Sequence, residues 1–178
     1  LCGVIPVTIL DMVFRQGKDS RIAANAHKMQ ENDTNLDYGD DFIFCPADTA
    51  AEAADKVAEY YRSFVDAYGV DNVQVLTPFR KKGEASVNAL NDRLWEMGNP
   101  KSSIARELKA GNALYREGDR IIHNKNKNDI SNGDIGYITD IYQDEDGVDL
   151  MRLSFSDGRI VEYSAEDADL IEHAYATT

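Results

Sequence analysis

Cationic and hydroxyl side chains follow two apolar runs of the chain, where strands are expected to end. Arg15 and Gln16 come after the run at residues 5–10, and residues 77–83, TPFRKKG, contain the end of another. In an open parallel sheet, ligands bind at the carboxyl ends of strands, where loops lead into helices. An arginine there can clamp a phosphate with paired donors, although a lone arginine more often pairs with a surface carboxylate.

The second stretch suits contact with a nucleic-acid backbone. Thr77 and the backbone beyond Pro78 can hydrogen-bond phosphates, and Lys81 and Lys82 add positive charge. A solvated helix start explains the same residues equally well. The formal net charge of −13 weakens a nucleic-acid function. It does not exclude one, because the basic residues cluster at 80–82 and 116–127 while the acidic residues gather in other loops.

The common catalytic patterns are missing from the sequence. It has no G-x-x-x-x-G-K-[ST], G-x-S-x-G or H-E-x-x-H motif, and three histidines offer little to a metal site. Cys2 and Cys45 form no C-x-x-C unit, and a buried strand cysteine is the favoured interpretation of Cys45. No apolar run reaches the roughly 20 residues of a membrane span. We therefore expect a cytoplasmic protein without a complete catalytic set.

Strand and helix signals alternate over residues 5–110. Strands are expected at 5–10, 41–45 and 73–79, the last buried on both faces. Three helices are expected. The first begins at Ser20 and has Ile22, Ala26 and Met29 on one face. The second follows a T-x-x-E capping box at Thr49, and the third spans residues 84–100. The second helix carries Val57, Tyr61, Phe64 and Tyr68 at helical period. The third is expected to turn Val87, Leu90, Leu94 and Met97 inward. This alternation predicts a parallel sheet covered by helices.

Short strands separated by turn clusters dominate the chain beyond Leu114. Residues 120–123, 136–142, 148–155 and 159–163 alternate in polarity, and Ser156-Asp157-Gly158 is a tight hairpin signal, so a small barrel is expected. The predicted fold is an α/β domain with an inserted β-barrel. We assign residues 1–112 to the α/β domain, 113–164 to the barrel and 165–178 to a strand that returns to the parallel sheet.

Four stretches, in this order, resemble a known family. Residues 2–29, 75–100, 115–138 and 174–178 are similar to the second RecA-like domain of bacterial RecD-like superfamily-1 DNA helicases, related to the exodeoxyribonuclease V alpha subunit. The resemblance covers nearly the whole chain. It implies a RecA-like sheet that lacks the P-loop and carries an SH3-like insert. The function it implies is that of a motor-domain fragment in DNA recombination and repair.

Site residues follow from this resemblance by position. Arg15, with Gln16, resembles the arginine that reaches the γ-phosphate of ATP bound on the N-terminal RecA-like domain of the same polypeptide. The residues whose positions resemble contacts to single-stranded DNA are Thr77, Pro78, Arg80, Lys81, Lys82, Asn91, Lys125, Asn126 and Asn132. ATP and Mg²⁺ would be cofactors of the longer parent, and subunits of a nuclease complex are candidate partners.

The resemblance also implies that the chain is an excerpt of a motor. It starts after the family's third motif and stops before the histidine of the fifth, so we expect no ATP hydrolysis by the isolated chain. The loop before Asn132 is about two residues shorter than in the family, and Ser131 replaces an aromatic residue. Weak, salt-sensitive binding of single-stranded DNA is therefore expected.

Two other functions stay open at this stage. One is a non-enzymatic interaction module whose barrel binds a peptide or partner through Tyr137, Tyr142 and Tyr163. The other is the equivalent domain of a relaxase-helicase. A self-contained enzyme for small molecules is disfavoured, because the glycine-rich phosphate loop is missing.

Overall fold

The computed structural model describes residue 17 and residues 19–127 and 129–178 of the chain. It divides into two compact units, residues 1–46 and 47–178. The helices are α1 (Arg21–Gln30), α2 (Ala50–Tyr68) and α3 (Val87–Gly98), and two short 3₁₀ helices span Val70–Asn72 and Ala165–Leu170. The strands are β1 (Val75–Leu76), β2 (Glu107–Ala110), β3 (Ala113–Arg116), β4 (Arg120–His123), β5 (Ile135–Gln143), β6 (Asp149–Phe155), β7 (Ile160–Ser164), β8 (Ile171–His173) and β9 (Ala176–Thr177).

The described part of the first unit is built around α1. Ser20 caps this helix by accepting a hydrogen bond from the Ile22 amide at 3.2 Å. The only residue that α1 buries is Asn25, whose amide nitrogen donates to the Asp37 carbonyl at 2.7 Å. Ile22, Ala26 and Met29, which helical periodicity placed on one face, are exposed.

The strand predicted at residues 41–45 does not form. Gly39 and Phe42 make an isolated antiparallel bridge with a turn between them, and Phe44 is 65% exposed. Cys45 is exposed, which corrects the expectation of a buried strand cysteine. An apolar run of this length is too short to identify a strand without a neighbouring strand to pair with.

Helix α2 begins at the predicted cap, where the Thr49 hydroxyl accepts a hydrogen bond from the Glu52 amide at 3.1 Å. It ends at Gly69, whose φ of 82° is readily adopted by glycine. The residues that α2 buries are Ala54, Ala58 and Tyr61, while Phe64 and Tyr68 of the predicted face are exposed. Ala54, Ala58 and Tyr61 thus share one core cluster with Leu90 and Leu94 of α3.

Helix α3 forms as expected. The Ser86 hydroxyl caps it by accepting a hydrogen bond from the Ala89 amide at 3.4 Å. Val87, Leu90 and Leu94 are buried, and Met97 packs partly buried against the same core as α2. The helical periodicity of the apolar residues therefore identified its inner face correctly.

Strands β1 and β9 form a two-stranded parallel sheet. Val75 pairs with Ala176 and Leu76 with Thr177, so the C-terminal segment does pair with the strand before residue 77, as expected. Burial of this strand on both faces was wrong, because Leu76 is 73% exposed. Among the described residues, these two strands are the only parallel pair.

The C-terminal half forms a five-stranded antiparallel sheet in the order β7-β6-β5-β4-β8, consistent with an SH3-like domain. Met151, Leu153 and Phe155 alternate along β6 and are buried, as predicted. The β6–β7 hairpin closes with a hydrogen bond from the Phe155 amide to the Arg159 carbonyl at 2.9 Å, and Gly158 has a φ of 87°. The barrel prediction is thus confirmed in its strands.

Two features of this region were not expected. Strands β2 and β3 form an antiparallel hairpin whose Leu108, Ala110 and Tyr115 enter the barrel core. Strand β8 pairs with β4, although the sequence analysis assigned it to the returning strand. The predicted domain limits at residues 112 and 164 stay a prediction.

No helix in the described part of the chain is long and apolar enough to cross a membrane.

Candidate nucleic-acid interface

The loop between β1 and α3 is held by Thr77. Its amide donates to the Thr177 carbonyl at 3.0 Å, and its hydroxyl donates to the Ala85 carbonyl at 2.7 Å. Thr77 is 8% exposed, so its side chain positions the loop from below. The loop itself is open to solvent, and Pro78, Lys81 and Lys82 are exposed.

Arg80 connects this loop with the barrel. Its guanidinium donates to both carboxylate oxygens of Glu172 on β8, at 2.8 and 2.9 Å. The same nitrogen lies 3.5 Å from the side-chain oxygen of Asn124, the first residue after β4. Two stretches that are 44 residues apart in sequence therefore meet at one surface. In the part of the chain that the structure describes, neither Lys81 nor Lys82 forms an ion pair.

The loop that joins β4 to β5 (residues 124–134, the β4–β5 loop) carries the other predicted contacts. Lys127 and Ile130 exchange two backbone hydrogen bonds of 3.0 Å, and Ile130 is 2% exposed, so it anchors the loop in the core. The Asn126 side chain accepts a hydrogen bond from the Asn132 amide at 2.7 Å. The loop thus places Lys125, Asn126 and Asn132 together on its exposed side.

His123 supports this loop from the core, a role that the sequence analysis did not identify. Its ring is buried, with one nitrogen 2.8 Å from the Tyr163 hydroxyl and the other bonded to the Lys125 carbonyl. Burial raises the pKa of Tyr163, so its hydroxyl stays protonated at neutral pH. The signal available in the sequence was a histidine at the end of an apolar strand, which says nothing about its partner.

The other end of the loop is fixed by Arg159 of the β6–β7 turn. Its guanidinium donates to the Asp134 carboxylate at 2.6 Å and also reaches the carbonyl of Asp129. The backbone amide of Ser131 and the Arg159 guanidinium together hold the pKa of Asp134 below its usual value. The β4–β5 loop is therefore tied at both ends, which reduces the entropy cost of binding a ligand.

Acidic residues pair with the cations of the β4–β5 loop. Lys125 forms an ion pair with Asp169, and Lys127 pairs with Asp167 at 2.6 Å. Lys127 also lies over the Tyr163 ring, 5.2 Å from its centroid. The hydrogen bond from Lys127 holds the pKa of Asp167 below its usual value, so this carboxylate is ionised at neutral pH.

Asn91 lies beneath this surface and is 6% exposed. Its amide nitrogen donates to the carbonyls of His173 and Ala176 at 2.8 and 3.0 Å, and its oxygen accepts from the Ala176 amide at 2.8 Å. The side chain thus fastens the C-terminal strand to α3. Its predicted contact with DNA stays a prediction, and its observed role is to position β8 and β9.

A buried carboxylate, Asp119, joins α3 to the barrel. It is fully buried and accepts five hydrogen bonds, and the first two come from Trp95 at 2.5 Å and Asn99 at 2.7 Å. The others come from the Arg116 amide at 2.7 Å, the Tyr175 hydroxyl at 3.0 Å and His173 at 3.1 Å. We call these six residues the Asp119 hub.

The charge state of the hub follows from these bonds. Burial raises the pKa of Asp119, but the hydrogen bonds from His173 and Asn99 and the attraction of His173 outweigh burial, so its pKa lies below the usual value. Burial raises the pKa of Tyr175 far above its usual value, and the neighbouring Asp119 adds to this effect. The hub is thus an ionised carboxylate surrounded by protonated donors.

The tyrosines considered for partner binding do not share one groove. Tyr163 is 3% exposed and belongs to the barrel core, while Tyr142 donates to Glu162. Tyr137 donates to Asp71 and lines an open groove of about 560 Å³ together with Arg120 and Phe155. Burial and the bond to Asp71 raise the pKa of Tyr137 to about 12.

The ATP-contacting residues of the prediction, Arg15 and Gln16, lie outside the described residues. Their assignment stays a prediction.

Residues 90–155 match the family model of the ATP-dependent RecD-like DNA helicase SH3 domain. The match supports a RecD-like SH3 insert in this chain and indicates a helicase-related fragment. It runs from Leu90 in α3 to Phe155 at the end of β6, so the RecD-like SH3 region contains Asp119 and the whole β4–β5 loop. Arg80 and Glu172 lie outside the matched residues.

Proposed function

We infer that this chain is a motor-domain segment of an ATP-dependent DNA helicase and that its basic surface contacts single-stranded DNA. The surface consists of Arg80, Lys81 and Lys82 from the β1–α3 loop and Lys125 and Asn126 from the β4–β5 loop. The match of residues 90–155 to a RecD-like helicase SH3 domain supports the helicase part of this proposal.

The observation that carries the proposal is the position of Arg80. Its contacts with Asn124 and Glu172 bring the β1–α3 loop to the RecD-like SH3 region. In this proposal, five predicted DNA contacts from two distant stretches share one surface, as an extended backbone ligand requires. Phosphates bind such surfaces through point charges and amide donors, largely without regard to base sequence.

The parallel pair of β1 and β9 supports assigning the remainder to a RecA-like domain. In such a sheet the loop after β1 leaves from the carboxyl end of the strand, which is the edge where ligands bind. Arg15 would serve ATP from the corresponding position after another strand. ATP and Mg²⁺ belong in this proposal to the longer parent, whose N-terminal RecA-like domain would supply the phosphate-binding loop.

The test is a titration of fluorescein-labelled oligo(dT) with the chain at low salt, followed by fluorescence anisotropy. We expect weak binding, and Arg80→Ala with Lys125→Ala should weaken it by roughly two- to five-fold for each cation. The slope of log K against log[salt] should become shallower by about 0.7 for each phosphate contact that is lost.

The matched control is Arg93→Ala with Lys101→Ala. These residues also form exposed ion pairs, with Asp55 and Glu107, and their removal changes the net charge by the same amount. Equal weakening by both double variants would reduce the effect to overall charge. Absence of any anisotropy change with the unaltered chain, at low salt and high protein concentration, would refute DNA binding by this surface.

A further inference from the structure

One short segment supplies an acidic partner to each of three cations on or beside the proposed DNA surface. Asp167 pairs with Lys127 at 2.6 Å, Asp169 pairs with Lys125, and Glu172 pairs with Arg80 at 2.8 Å. These cations come from two different loops, whereas all three carboxylates lie within residues 165–172. We call residues 165–172 the acidic segment.

Backbone and side-chain bonds hold the acidic segment in place. Ser164 and Asp167 form a capping box at the start of its 3₁₀ helix. The Leu170 carbonyl accepts a hydrogen bond from the Asn124 amide at 2.7 Å, and the Ile171 carbonyl accepts from the Tyr115 hydroxyl at 3.0 Å. The carboxylates are therefore presented to the cations by a fixed backbone.

These ion pairs are accessible to a competing anion. The side chains of Lys125 and Asp169 are 55% and 67% exposed, and those of Arg80 and Glu172 are 49% and 39% exposed. Exposed pairs of this kind contribute little to stability, so exchange of a carboxylate for another anion costs little. A phosphate has the same charge sign and can accept the same donors.

We propose that the acidic segment is an intramolecular competitor of DNA, whose carboxylates occupy the positions where the phosphates of the single strand bind. This inference rests on the proposed function, since it concerns control of the same surface. Binding of DNA then requires the phosphates to displace Asp169 and Glu172. The segment makes the surface selective for a dense row of phosphates over isolated anions, because several carboxylates have to be displaced together.

The experiment compares two double variants that carry the same net charge. Asp169→Asn with Glu172→Gln removes the competitor and leaves Lys125 and Arg80 unpaired. The control, Asp55→Asn with Glu162→Gln, removes one acidic partner each from Arg93 and Arg152 elsewhere on the chain; Arg152 keeps Asp140. Oligo(dT) affinity is measured by anisotropy over a range of salt concentrations, and circular dichroism checks that each variant is folded.

The competitor variant should bind oligo(dT) roughly two- to five-fold more tightly for each pair removed, relative to the control. Its salt slope should stay close to that of the unaltered chain, because the same cations contact phosphates in both complexes. Adding Lys125→Ala and Arg80→Ala to this variant should abolish the gain, which shows that the freed cations cause it.

The outcomes separate this inference from the proposed function. If the unaltered chain binds oligo(dT) and the competitor variant binds no more tightly than the control, the competitor is refuted while DNA binding stands. A gain in affinity that persists after Lys125→Ala and Arg80→Ala are added also refutes it, because the freed cations would then not be its cause. If no variant binds, the proposed function fails, and the competitor fails with it.

Discussion

Replacing Asp119 with alanine should severely destabilise the second unit. The substitution removes the acceptor of five donors: those of Arg116 and Tyr175 are buried, and those of Trp95, Asn99 and His173 are half-buried. At about 1 kcal/mol for each orphaned donor, the sum is about 5 kcal/mol. Removing the buried charge recovers part of its desolvation cost, so we expect a loss of about 3–5 kcal/mol in the free energy of unfolding. That is a large share of the roughly 5–15 kcal/mol typical of a domain.

The chain contains a single tryptophan, and Trp95 is itself a donor to Asp119. Its fluorescence during urea unfolding therefore measures the hub directly. Asp119→Asn keeps the shape of the side chain but replaces one acceptor oxygen with an NH₂ group, which faces donors. We therefore expect a smaller decrease of about 2 kcal/mol in the free energy of unfolding. Asp55→Asn, in a carboxylate that is 68% exposed, is the control and should change stability by less than about 0.5 kcal/mol.

Acid sensitivity provides an independent measurement of the same carboxylate. The pKa of Asp119 is lower in the folded chain than in the unfolded chain. Its contribution is therefore fully present above the unfolded pKa of about 3.9 and is lost as the pH falls through the folded value. The Asn variant should lack this part of the acid dependence. If Asp119→Ala lowers the free energy of unfolding by less than about 1 kcal/mol, the argument from donors left without an acceptor is wrong.

Further predictions concern other parts of the chain. Asn91→Leu should lower the free energy of unfolding, measured with urea, by about 2–3 kcal/mol, because it removes three hydrogen bonds that fasten the C-terminal segment. A decrease no larger than that caused by Asn88→Leu, at an exposed position of the same helix, would contradict this role. Gly136→Ala should lower the melting temperature, because the new Cβ would lie 2.8 Å from the Ser154 carbonyl oxygen. An unchanged melting temperature would show that the neighbouring strand shifts to accommodate the Cβ. In the longer parent, Arg15→Ala should lower DNA-stimulated ATP turnover by about a thousandfold or more, and an unchanged rate would remove Arg15 from the ATP site. The isolated chain should show no such turnover.

Local sequence signals predicted the elements whose stability is decided locally. The cap at Thr49, the inner face of α3 and the hairpin at Ser156-Asp157-Gly158 were all predicted correctly, since each depends on residues a few positions apart. The same reasoning failed at residues 41–45, where the described residues form an isolated Gly39–Phe42 bridge in place of the predicted strand. In α2, helical periodicity grouped Phe64 with Tyr61, yet Tyr61 is buried and Phe64 is exposed.

The basic residues of the surface could be selected from the sequence, but their surroundings could not. The clustering of basic residues and the family resemblance identified Arg80 and Lys125 as candidates. Their pairing with Glu172 and Asp169 joins residues 92 and 44 positions apart, and no periodicity records such a pair. The structure thus changed the interpretation of the acidic residues from solvated loops to partners of these cations.

By itself, the sequence determined the barrel strands, the helix caps and a candidate set of phosphate-binding cations, because alternation, capping and charge are properties of neighbouring residues. Tertiary structure alone decided that β8 joins the barrel and that Asp119 collects five donors. It alone also decided that one segment neutralises three cations. These arrangements are contacts between residues far apart in sequence. Such contacts depend on how all the elements pack when their apolar surfaces are buried.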